Sequence, residues 1–141
     1  MSKVQFLLFK LSGDQYAIPL NDSREIVQYS EPTRLPSVPS TVAGVLNLRG
    51  RMIAVVSLAR RLGVAEVPIT SRTCVIVAET TTEPMGFIVD EIDEVMTVDQ
   101  SQVEPCPSTV TEDCADLITG VIKAENRAIV CLTTRSPRIV S

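Results

Sequence analysis

The chain carries two copies of one pattern. Gly44-Val45-Leu46 lies on Gly120-Val121-Ile122, Arg51 on Arg127 and Ile53 on Ile129, all at an offset of 76 and without a gap. Upstream the order of events repeats as well. Each copy has an apolar strand (Phe6 to Phe9, Cys74 to Val77), a turn, and a second strand ending near Leu20 or Val89. An acidic-apolar pair (Glu25-Ile26, Glu94-Val95), a proline loop and a closing hairpin follow. Self-similarity at this period predicts two like units. A unit of about 60 to 70 residues buries too little surface to stand alone, so the copies must pack around a shared apolar interface. The expected architecture is all-β. It consists of two small barrels or curled sheets of about five strands each, over residues 1–66 and 67–141, with the last strand free to pack back on the first and a groove between the units.

The hairpin of the first copy sets two runs rich in β-branched residues, Gly44-Val45-Leu46-Asn47-Leu48 and Met52-Ile53-Ala54-Val55-Val56, around a charged corner. Gly50 can take a positive φ there without a Cβ clash, and Arg49 would then point away from the ladder into solvent. In the second copy Asn126 stands in the place of Gly50, and Asn is the next most tolerant residue of the left-handed region. The charge is not kept. Asn47-Leu48-Arg49-Gly50 becomes Lys123-Ala124-Glu125-Asn126. A hairpin does not require Arg49, which is either an ordinary exposed arginine or one that reaches a carboxylate, within the protein or on a partner. Glu25 is the intramolecular candidate if its strand lies beside the hairpin.

Along the rest of the chain, Val4–Leu11 and Gln15–Leu20 read as a hairpin around Ser12-Gly13-Asp14, and charged and apolar residues alternate from Arg24 to Tyr29. Pro32, Pro36 and Pro39 stiffen the next connection. Ser40 to Ala43 are expected to form one helical turn, and Leu58 to Gly63 a short helix ended by its glycine. Val64 to Arg72 is a linker. Thr73–Glu79, Met85–Asp90, Ile92–Val98, Leu117–Ala124 and Arg127–Thr133 complete the strands, with a second proline loop at Pro105 and Pro107.

Composition narrows the chemistry. The chain is 45% hydrophobic but has only Phe 3, Tyr 2 and Trp 0, so its core is built from Val, Ile and Leu, which favours strands. It holds no histidine, and its four cysteines form no CxxC pair, which removes the commonest zinc ligands and general base. Cys74 and Cys131 sit in apolar runs as small hydrophobes. Cys106 and Cys114 fall in a polar loop where a reversible disulfide has no support. The single glycines make no phosphate loop. The cluster Asp90, Glu91, Asp93, Glu94 lacks a metal-loop pattern and reads as a solvated face. No enzyme, metal or cofactor is expected.

Residues 1–66 carry eight Lys/Arg against five Asp/Glu (+3), and residues 67–141 five against twelve (−7). A division of this kind suits halves that meet different partners, while the acidic total of −4 argues against nucleic acid. The chain shows neither a membrane-length apolar run nor the layout of a signal peptide. It is expected to be cytosolic.

The string GVLNLRGRMIAVVSL from Gly44 to Leu58, preceded by LPSVPSTVA and by REI at Arg24 to Ile26, resembles the chemotaxis coupling protein family CheW. GFIVDEIDEVM from Gly86 to Met96 and LITGVIKAENRAIVCL from Leu117 to Leu132 fit the same family, so the resemblance runs from about residue 5 to 133. It implies two SH3-like five-stranded barrels in pseudo-symmetric array around a shared hydrophobic core, forming one CheW-like domain. It also implies a non-catalytic adaptor that links a CheA-type histidine kinase, through the kinase's regulatory domain, to the cytoplasmic tips of methyl-accepting chemoreceptors. Carried over by match, Asn47, Arg49 and Gly50 are the signature corner and Glu25 the acidic residue of the earlier strand. The groove between the barrels would take the receptor tip. Ser57 stands where the family commonly has an aspartate, Ala54 where a proline is usual, and Thr133-Thr134 where an acidic residue often opens a terminal helix. The tail after Thr134 is too short for that helix. These departures leave room for a scaffold of a type IV pilus or other chemosensory-like pathway. From other classes, a small-ligand sensor using the inter-barrel groove and a hydrolase built on the acidic cluster stay open.

Overall fold

A computed structural model describes residues 2–105 and 116–140. Eleven strands make up most of the fold: β1 (Lys3–Leu11), β2 (Asp14–Pro19), β3 (Ser23–Gln28), β4 (Val42–Leu48), β5 (Arg51–Ser57), β6 (Cys74–Ala78), β7 (Met85–Val89), β8 (Glu91–Asp99), β9 (Val103–Glu104), β10 (Ile118–Ala124) and β11 (Arg127–Leu132). Among the described residues there is one α-helix, α1 (Leu58–Leu62), ended as the sequence predicts by Gly63 in the left-handed region and capped at its start by Ser57, whose side chain accepts the Arg60 N–H. Ser40 to Ala43 form no helical turn. Ser40 and Thr41 lie in a tight turn closed by the Val42 N–H on the Pro39 carbonyl at 2.9 Å, Val42 already pairs with Val56 of β5, and Ala43 is the residue of β4 passed over at a register shift in that ladder. Cys106 and Cys114 lie outside the described residues.

The strands form two curled sheets, ordered β3-β6-β7-β5-β4 and β8-β1-β2-β11-β10-β9. Under the repeat, β3, β6, β7, β5 and β4 correspond to β8, β1, β2, β11 and β10, so the two sheets share one order over five strands and the second adds β9 at its edge. The sheets do not divide the chain at residue 66. One barrel is continuous, from β3 to β7 (residues 23–89), and the other joins the N-terminal hairpin β1-β2 to the C-terminal strands. The chain crosses into the continuous barrel through the short 3-10 turn Leu20–Asp22 and leaves it at Asp90. In both barrels the strand that closes the hairpin pairs in parallel with a strand of the other half, β5 with β7 and β11 with β2. A repeat fixes what each copy is made of. It does not fix which copy a strand pairs with, and here the short crossovers hand each opening hairpin, β1-β2 or β6-β7, to the other copy's closing hairpin.

The exchange explains the unbroken apolar runs. Along β1, Leu7, Phe9 and Leu11 face the seam between the sheets, while Phe6 and Leu8 fill the N/C-terminal barrel. In β6, Ile76 and Ala78 face the seam and Val75 the interior of the continuous barrel. A strand covered on both faces loses the alternation of polar and apolar residues. Phe9 and Phe87 are fully buried in the seam, each worth about 2 to 3 kcal/mol by transfer. The tail after β11 straps across the same seam. Ile139 is buried there, Arg61 Nε donates to the Arg138 carbonyl at 3.0 Å, and Arg61 pairs with Asp116 at 3.3 Å. The Ser136 hydroxyl donates to Asp116 at 2.8 Å.

The matched glycines mark a shared backbone requirement. A Cβ on Gly44 would stand 2.2 Å from the Thr33 carbonyl oxygen, and one on Gly120 would stand 2.6 Å from that of Glu104. At both places the chain before the hairpin crosses it closely, beside a register shift in the ladder. Gly44→Ala is expected to cost about 2 to 4 kcal/mol, and Gly50→Asn, which copies the second hairpin, about 1 kcal/mol or less; urea unfolding of the two variants checks the difference.

Burial acts to raise the pKa of Asp116, but the Ser136 hydroxyl and the charges of Arg61 and Arg138 outweigh it and hold the carboxyl below its ordinary value. A depressed folded-state pKa gives stability that is present above the unfolded value of about 3.9 and is lost as pH falls through the folded one. Asp116→Asn is therefore expected to unfold more easily at pH 7, with its deficit against wild type shrinking below about pH 4. Urea midpoints across that range measure it.

Candidate functional site

The β4–β5 corner is a two-residue hairpin turn with both central residues at positive φ, Arg49 at 52° and Gly50 at 85°. Its counterpart has Glu125 at 53° and Asn126 at 61°. Primed turns of this kind match the twist of the strands they join. The positive φ expected at the glycine position is present, and Arg49 takes one as well, where a side chain with a Cβ bears the strain. Asn47 supplies part of the compensation, its Oδ1 accepting the Gly50 N–H at 2.9 Å. Asn47 and Gly50 thus shape the turn, and Arg49 is what the turn presents.

Arg49 pairs with Glu25, its Nη2 donating to Oε2. The strands that carry the two residues are on opposite edges of the same sheet, β3 and the hairpin of β4. No ladder joins those edges, and curling of the sheet brings them together. The ion pair spans the gap. It is not a buried pair: the Arg49 side chain is 77% exposed and that of Glu25 29%. Pairs this open contribute little to stability.

Below the pair opens a cleft of about 250 Å3 into the end of the continuous barrel. Leu48, Ile53 and Val77 form its floor, and Arg24 and Arg51 stand on its rim beside Arg49. No motif in the sequence marks these last two arginines as site residues. A second concavity, of about 550 Å3, lies at Tyr29 and Ile88 between the loops at residues 31–40 and 66–69, where Leu35, Val38, Val67 and Ile69 are exposed. The seam between the barrels, by contrast, is filled by side chains of both sheets.

Three acids of the Asp90–Glu94 cluster are engaged within the molecule. Asp90 accepts the Ser12 N–H at 2.7 Å, Asp93 accepts from Gln15, and Glu91 pairs with Arg72 at 3.6 Å. Among the described residues no three His, Cys, Asp or Glu gather as metal ligands. Burial raises the Cys74 thiol and pushes Cys131 up to about 12. No helix among the described residues is long and apolar enough to cross a membrane.

Residues 5–135 match the CheW-like domain. The chain belongs to that family. It is 35% identical over 125 residues to the chemotaxis protein CheW of Bacillus subtilis, an alignment covering 89% of this chain and 80% of the relative. The crystal structure of the scaffolding protein TtCheW from Thermoanaerobacter tengcongensis superposes with a TM-score of 0.88 at 27% identity, covering 96% of this chain and 87% of that one. Protein PilI of Pseudomonas aeruginosa is 32% identical over 84 residues, 60% of this chain and 47% of PilI. The family assignment and the paired SH3-like barrels expected from the sequence both hold, and the protein is a chemotaxis adaptor of the CheW type.

A double-mutant cycle on Arg49→Ala and Glu25→Ala is expected to return a coupling of about 0.2 to 1 kcal/mol that shrinks as salt rises. Urea unfolding at low and high ionic strength measures it.

Proposed function

We propose that the protein acts in the cytoplasm by binding alone, holding the regulatory domain of a CheA-type histidine kinase beside the cytoplasmic tips of methyl-accepting chemoreceptors so that receptor state reaches the kinase. The family match along residues 5–135 carries this reading. The corner at Glu25, Asn47, Arg49 and Gly50 is its proposed contact, supported by an arginine held on a stiff turn and left mostly open to solvent. The similarity to PilI supports the same scaffold role in a pilus-linked pathway as the second reading. A sensor for a small ligand between the barrels is disfavoured, because Leu7, Phe9, Val56 and Phe87 fill that seam.

Sedimentation of the purified protein with a CheA regulatory domain and receptor tips from the same organism tests the assignment, and binding to neither would sink it. Within that assay Arg49→Glu is expected to weaken association about tenfold with the unfolding midpoint nearly unchanged. The charge exchange Arg49→Glu with Glu25→Arg separates two roles. It restores an ion pair across the barrel edge but not a partner contact, so full recovery of binding in the exchange would make Arg49 a structural residue.

A further inference from the structure

Besides the reversed charge at the corner, the two ends of the repeat differ in the fate of a matched arginine. In the N/C-terminal barrel Arg127 is used up internally, donating to Glu125 at 2.7 Å and to Gln15 Oε1 at 3.1 Å. At the same position of the continuous barrel Arg51 is exposed and, among the described residues, has no ion pair or side-chain hydrogen bond. Around it Arg49 gives a single nitrogen to Glu25, and Arg24 gives its Nε to Glu79 at 3.2 Å while remaining half exposed. A guanidinium has five N–H donors in a planar fork, so each of these arginines keeps donors for an outside acceptor. The cleft they frame holds one carboxylate, Glu25, against three guanidiniums. Its floor of Leu48, Ile53 and Val77 is apolar.

The charge is a property of this barrel, not of the corner alone. Residues 23–89 carry seven Lys/Arg against five Asp/Glu (+2), and the rest of the chain six against twelve (−6). An acidic segment approaching the molecule is therefore repelled by one barrel and admitted by the other. Where the first copy pairs Arg49 with Glu25, the second places Glu125 and Glu94 at the matched positions, two acids that offer such a segment nothing.

We propose that this end of the continuous barrel is a docking cleft for an acidic segment of a protein partner, with Arg51 as its free anchor and Arg49 and Arg24 as flanking donors. The proposal rests on the reading of the corner as a partner contact and adds the chemistry of what it receives: carboxylates at the rim and an apolar side chain over Leu48 and Ile53. Carboxylate-guanidinium forks fix orientation as well as charge, so Arg51→Lys is expected to keep part of the binding and Arg51→Glu none.

The probe is a fluorescein-labelled dodecapeptide rich in glutamate with two leucines, together with its glutamine counterpart, titrated by anisotropy in low salt. The glutamate peptide is expected to bind about fivefold or more tighter than the glutamine peptide, a preference that fades toward high salt. Arg51→Ala is expected to weaken it about three- to fivefold while the unfolding midpoint stays put. In amide spectra the glutamate peptide should shift Leu48, Ile53 and Val77 and leave Ile122 and Ile129 of the other barrel in place. Equal affinity for the two peptides, no binding of the glutamate peptide, or indifference to Arg51→Ala and Arg51→Glu would overturn the proposal. Displacement of the peptide by inorganic phosphate or a single-stranded oligonucleotide at matched charge would overturn it too, by showing a general anion site. None of these readouts needs the kinase domain or receptor tip, so they can fail while those partners still bind, and the reverse.

Discussion

Everything in this molecule depends on two strands, β1 and β6, being buried on both faces. Each lines a barrel with one face and the seam between barrels with the other. Neither barrel has enough interior to stand by itself. The continuous barrel is the clearer case, with Leu46, Val55 and Val75 as its buried core and the partly buried Val27, Tyr29, Leu48 and Ile88 packed against them. What it lacks inside it gains at the seam, where Ile76, Phe87 and Val89 meet Leu7, Phe9 and Leu11. The exchange of hairpins makes the arrangement mutual, because pulling the barrels apart would expose the central strands of both. The tail strap and its Arg61–Asp116 pair lie over the same seam and hold α1 to the chain's end.

On that frame the repeat separates backbone demands from electrostatic ones. Gly44 and Gly120 are alike because a crossing segment passes too close for a Cβ. Gly50 and Asn126 are alike because the turn needs the left-handed region. No such constraint acts on Arg49 and Glu125, or on the partners of Arg51 and Arg127, and there the copies part. One end of the repeat neutralises its arginine within the molecule, and the other leaves guanidiniums in solvent. In an adaptor that works by contact, the surface on which the copies disagree is where function has room to reside.

Much of this was legible without coordinates. The hairpins and the short helix ended by Gly63 follow from residue types whose local preferences are strong, the 76-residue offset from laying the chain on itself, and the pairing of Arg49 with Glu25 stood as one alternative for that arginine. The pairing was conditional, however, on β3 lying near the hairpin, and the strand order alone sets those elements at opposite edges. Only closure of the sheet joins them. The supposed helical turn at Ser40 to Ala43 failed for a related reason: pairing of Val42 with Val56 of β5 outweighed a weak local preference. Arg24 and Arg51 were visible as residues but not as rim partners of Arg49, since nothing in a linear reading says that β3, the hairpin tip and the end of β6 open on one cleft.

The sequence by itself determined the composition of each unit, the β class, the turn geometry and the need for two units to share a core, because these depend on interactions within a few residues or on total apolar content. The tertiary structure alone decided which hairpin completes which barrel, and with it the division into residues 23–89 and the two chain ends. It also decided that the seam is filled and that the open space lies at the ends of one barrel. Those outcomes turn on contacts between residues far apart in the chain, whose free energies depend on closure and mutual burial. The same pattern of apolar strands is compatible with pairing inside a copy or across copies, and packing selects between them.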